Sequence, residues 1–205
     1  MGVRILAALR DLDPPAGGAE MSLATLLKGV TRKGPYIENA ADYIPLEGET
    51  DGDEESGWSV KVLQSSSRGD VTDLTSNSGL ERQVCGRPVE DLWSGLAWRL
   101  RSRRTGKQQQ HLQWVHLSKT NRAFARWLRP ILAAEVAAAE SSGDVLLGVT
   151  QLHWSAGAAK AFSRAGIPYL AFVRDELQFN HPRLYRNSLE GAGAVCGAGQ
   201  GLIKQ

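Results

Sequence analysis

Two short runs, Val145–Val149 and Tyr169–Val173, carry no charged side chain and no alternation of polar with apolar residues. A strand with one wet face alternates, whereas a strand that is apolar throughout must be covered on both faces. Between the two runs, Ala156–Arg164 has helical composition, with Gly166 and then Pro168 placed to end a helix. Strand, helix, strand within about 30 residues is the crossover unit of a parallel sheet. This pattern sets the expected fold class: α/β, a Rossmann-like parallel sheet with helices on both faces.

The amino-terminal end repeats the arrangement. Val3–Leu9 is a short apolar strand, and Asp11–Gly18 is a Pro/Gly-rich loop. Ala19–Thr31 follows, with Leu23, Leu26, Leu27 and Val30 on one helical stripe. Trp58–Gln64 reads as a strand. Asp91–Arg103 reads as a helix, with Leu92, Leu96 and Leu100 four apart. Leu112–Leu117 is expected to be a strand, with Asn121 as N-cap of a long helix reaching about Glu140. Phe124, Trp127, Leu128, Ile131, Leu132 and Val136 share a face of that helix, and Pro130 would kink it. Leu184–Leu189 reads as helical and Ala194–Cys196 as a last short strand. The rest of 34–88 carries no clear period. Glu47–Gly57 is acidic loop and Ser65–Gly79 is turn material.

Composition bounds the function. The 205 residues suit one domain with a substantial core, and 42% apolar with 22% charged content is ordinary for a soluble globular chain. A net charge of +2 gives no overall field toward nucleic acid or anionic membranes. Cys85 and Cys196 are too few for a disulfide framework or a thiolate zinc site, so a reducing cytoplasmic setting is expected. The run Val3–Leu9 is interrupted by Arg4 and is too short for a signal peptide. No stretch approaches the roughly 18 apolar residues of a spanning helix.

Ligands of such sheets lie outside the carboxyl ends of the strands. Three segments therefore qualify: Pro14–Glu20, Gln151–Trp154 and Arg174–Glu176. All three are expected on one edge of the sheet. In the first, Gly17 and Gly18 let backbone approach a ligand, and the helix that follows aims free N–H groups at the same spot. A plain βα turn would use the same glycines only for the bend. His153 is a candidate cleft histidine, or a packing residue beside Trp154. His111, His116 and His181 have no metal-ligand spacing, and no metal is expected.

Several of these residues fall in a pattern that resembles the amino-terminal domain of family-4 glycosyltransferases of the GT-B type. Gly17-Gly18-Ala19-Glu20 before a Leu-rich helix resembles the family's opening motif. Gly143-Asp144-Val145-Leu146-Leu147, a helix and then Ala165-Gly166-Ile167-Pro168-Tyr169 resemble its later strand–helix–strand run. Arg174-Asp175 stands where members often place His-Asp or Arg-Asp, and Gly191–Gly199 weakly resembles the strand before the crossover. Residues 34–110 match poorly.

The resemblance implies an enzyme that moves a sugar from a nucleotide-sugar to an acceptor in polysaccharide or glycolipid assembly, without a resident cofactor. Gly17, Gly18 and Glu20 would line the cleft on the substrate side. Arg174 would neutralise a phosphate or an acceptor charge, and Asp175 would be a base or orient Arg174; as a purely structural residue Asp175 would instead cap the next loop. Apart from the resemblance, His153 is a second catalytic candidate because it follows a strand. The resemblance also implies a second Rossmann-like unit for the donor, held in a further domain or partner chain, and little turnover by residues 1–205 alone. A non-catalytic α/β module binding a phosphorylated or sugar ligand is the alternative.

Three features are weaker. Glu47 and Glu55 have the spacing of the family's donor-binding glutamate pair, but they sit in an acidic loop. Gly191–Gly199 mimics a dinucleotide fingerprint without room for the helix and acidic residue such a site needs. Arg99–Lys107 is the one basic cluster. It is either the solvated end of a helix or a contact with phosphates, those of nucleic acid or of anionic lipid headgroups carrying the acceptor, and the solvated end is favoured. No nucleic-acid partner is expected.

Overall fold

The computed structural model describes residues 2–10, 18–33, 57–65, 80–85, 107–151, 156–173, 186 and 188–197. In chain order the elements are β1 (Val3–Arg10), α1 (Gly18–Lys33), β2 (Trp58–Ser65), β3 (Glu81–Cys85) and α2 (Lys107–Ser142). They continue with β4 (Val145–Gln151), α3 (Ala156–Arg164), β5 (Tyr169–Val173) and β6 (Ala194–Gly197). The strands form one six-stranded sheet in the order β3-β2-β1-β4-β5-β6, and every described pairing is parallel. This is the doubly wound Rossmann order.

Side-chain alternation divides the core in two. Leu6 and Ala8 of β1, Leu63 of β2 and Tyr169, Ala171 and Val173 of β5 point to one face. There they meet Phe124, Leu128 and Leu132 of α2 and Ala158, Ala159 and Phe162 of α3. Ile5, Ala7 and Leu9, with Val60, Val62 and Val149, point to the other face, where Leu23, Ala24 and Leu27 of α1 cover them. Helices on both faces explain why β4 and β5 read as largely unbroken apolar runs. Ala7 and Ala8 leave room for helices to approach, and each apolar side chain buried contributes roughly 1.5–3 kcal/mol.

Local signals set the ends. Gly166, at φ 70°, closes α3 as its position in the sequence demands, and Ile167 N–H donates back to the Phe162 carbonyl at 3.0 Å. Gly143, at φ 74°, ends α2 in the same way. At the amino edge of the sheet, Glu135 of α2 reaches down to Arg4 of β1 at 3.0 Å and Lys61 of β2 at 2.8 Å. Asp144 accepts from the Gly2 backbone N–H at 2.9 Å and faces Arg4 at 3.4 Å. These bonds clamp the first strand to the end of α2.

Two expectations are corrected. Residues 112–117 are not a strand but part of α2, which runs 36 residues from Lys107. Asn121 consequently lies inside that helix and not at its start. The predicted helix over 91–103 lies outside the described residues. The strand β3 had no counterpart in the sequence reading. Pro130 sits within α2 and does not end it.

Candidate functional site

The strand order defines where a ligand can sit. From β1 the chain first builds outward through β2 to β3, then returns to place β4 on the other side of β1 and builds outward again. The helices that follow β1 and β4 cover opposite faces of the sheet, α1 one and α3 the other, so the switch point, outside which sheets of this order bind ligands, lies between β1 and β4 at the carboxyl edge. The register aligns the strand exits: Ala8 pairs with Thr150, Gln151 with Phe172, and Val173 with Gly197. Exits of β1, β4 and β5 follow one another at about 4.8 Å per strand. The three segments singled out in the sequence thus leave from neighbouring strands on one edge, as expected.

Gly18 opens α1 and Glu20 lies in its first turn, so the glycine segment after β1 leads straight into a helix N-terminus. Gly17, His153, Arg174 and Asp175 lie outside the described residues. Gly17 immediately precedes α1, His153 comes two positions after the end of β4, and Arg174 and Asp175 directly follow β5.

On the opposite face, α3 starts just beyond the carboxyl end of β4. The backbone N–H of Gly157 in its first turn donates to Asn121 Oδ1 at 2.7 Å. Asn121 thus satisfies a helix end that would otherwise offer its N–H groups to solvent or ligand. It caps α3 from the side of α2. Gly157 is needed because a Cβ there would collide with the Asn121 backbone carbonyl.

Apart from Asn121, whose place in the sequence reads as a cap, sequence reasoning missed a set of buried polar residues on this side of the sheet. Gln64 and Ser65 end β2 in register with Leu9 and Arg10, and Thr150 nears the end of β4. All three are buried, as are Thr120 and Asn121 of α2. Polar groups that end otherwise apolar strands are the available signal. They are buried polar groups within the packing near the ends of β2 and β4, whereas the amino side of the sheet is closed by ion pairs.

Among the described residues, the ion pairs between distant parts of the chain lie at that opposite, amino edge. Burial acts to raise the Glu135 carboxyl, but hydrogen bonds and charge from Lys61 and Arg4 outweigh it and hold its pKa below the ordinary value. Burial likewise acts against the Lys61 ammonium, and Glu135 and Glu81 together lift its pKa above 10.5. The Ser142 hydroxyl first, then the Gly2 N–H, lower Asp144. Being remote from the strand exits, this network is structural. Tyr169, raised by burial, donates its hydroxyl to the Ser188 carbonyl at 2.7 Å and is a core residue.

The arrangement defines an α/β protein of Rossmann-like type with its switch point between β1 and β4. No protein-family model and no curated protein matches the sequence. Two solved structures are similar to it. One is UGT2 of Phytolacca americana complexed with UDP-2fluoro-glucose and pterostilbene, at 13% identity and a TM-score of 0.46. That match covers 91% of this chain and 35% of the other. The other is the N-terminal domain of trehalose-6-phosphate phosphatase from Candida albicans, at 11% identity and a TM-score of 0.47. It covers 95% of this chain and 40% of the other, so the chain spans well under half the length of either structure. Among the described residues no helix is long and apolar enough to cross a membrane.

Proposed function

We propose that this chain is the acceptor-side, amino-terminal domain of a GT-B glycosyltransferase, which moves a sugar from a nucleotide-sugar to an acceptor in polysaccharide or glycolipid assembly. The observation that carries the proposal is the switch point between β1 and β4, out of which a glycine segment passes directly into α1 at Gly18. The resemblance of Gly17–Glu20 to the family's opening motif adds to it.

In this mechanism the switch point orients an acceptor hydroxyl toward the anomeric carbon of the donor sugar. The rate gain comes from positioning and from neutralising the diphosphate that leaves. The N–H groups of Gly18 and its neighbours, with the positive end of the α1 dipole, favour the diphosphate oxygens. Arg174 adds a cation that pairs with phosphate in a bidentate manner. Asp175 and His153 follow β5 and β4, and either supplies the base that takes the acceptor proton. The donor's nucleotide is held by a second Rossmann-like unit, from a further domain or a partner chain.

Gly18→Asp is the test. A carboxylate at the start of α1 suits the helix dipole and leaves the fold intact, but repels an anionic ligand. Titration calorimetry with UDP-glucose and with inorganic diphosphate reads the outcome. At least a tenfold loss of affinity with an unchanged melting temperature supports the reading. Equal affinity for wild type and variant makes the glycine segment a plain turn and overturns the assignment.

A further inference from the structure

We draw no further inference here: the strongest candidate, the outer edge of β6, where Val195 is exposed and Ala194–Gly197 has none of the charge that Glu81 and Arg82 give β3 at the far end of the sheet, carries nothing because nothing among the described residues shows what covers it.

Discussion

Asn121 shows how a residue type can be chosen correctly and its use misplaced. Its capping chemistry is visible in the sequence, because Asn readily accepts from a helix N–H. What the sequence hides is the recipient: Gly157 of α3, 36 positions away, and not the helix that contains Asn121. Only packing of α2 against α3 creates that pair. Replacing Asn121 with Ala leaves the buried Gly157 N–H without its acceptor, and a loss of about 1–3 kcal/mol is expected. Gly157→Ala acts differently, by forcing a methyl group against the Asn121 carbonyl. It should cost about 1–3 kcal/mol or more, because backbone is what must yield. Urea denaturation of both variants measures this. Wild-type stability in Gly157→Ala would mean that the two helices are not in close contact there.

At the scale of elements, legibility followed burial. β1, β4 and β5 are covered on both faces and stood out as apolar runs, and α1 and α3 showed their stripes and stops. β3, the outermost strand beside β2, is half-exposed along Glu81–Val84 and ends on buried Cys85. Its sequence therefore lacks the apolar run that marks the inner strands. Residues 112–117 read as strand because Leu112, Trp114 and Val115 satisfy a short apolar run as well as a helical period, and periodicity alone does not separate the two over six residues. The ion pairs under α2 were likewise invisible, since Arg4, Lys61 and Glu135 are brought together only by sheet register and helix length.

That network has a definite pH signature. The Glu135 pKa is lowered on folding, so its contribution to stability is present above the ordinary carboxyl value near 4.5 and disappears as pH falls through the lower folded value. Lys61 is raised, so its contribution holds below 10.5 and is lost only as pH rises beyond that. Glu135→Gln leaves two cations facing a neutral amide, and about 1–3 kcal/mol should be lost near neutrality, less than for a fully buried pair because Arg4 and Lys61 are partly solvated. Thermal melts between neutral pH and pH 3 should show a smaller acid decline for the variant than for wild type. Parallel declines would show that Glu135 titrates no differently in the folded and unfolded chain.

For the whole molecule, the two cysteines report on the strand order. Cys85 ends β3 and Cys196 lies in β6, the first and last strands of the sheet. Five strand spacings separate them, about 24 Å. A disulfide needs Cα atoms within about 7 Å, so none can form within one chain without dismantling the sheet. The thiols also differ in access: Cys85 is buried and Cys196 is partly exposed. A chromogenic disulfide reagent should therefore titrate one thiol promptly in the native protein and the second only as the molecule opens. The slow phase should accelerate with urea in step with global unfolding, since the β3 end of the sheet must separate from its covering before Cys85 reacts. Prompt reaction of both thiols would mean that β3 is not sealed at its carboxyl end, and would remove Cys85 from the core. Slow reaction of both would place a cover over β6, and with it over that end of the sheet.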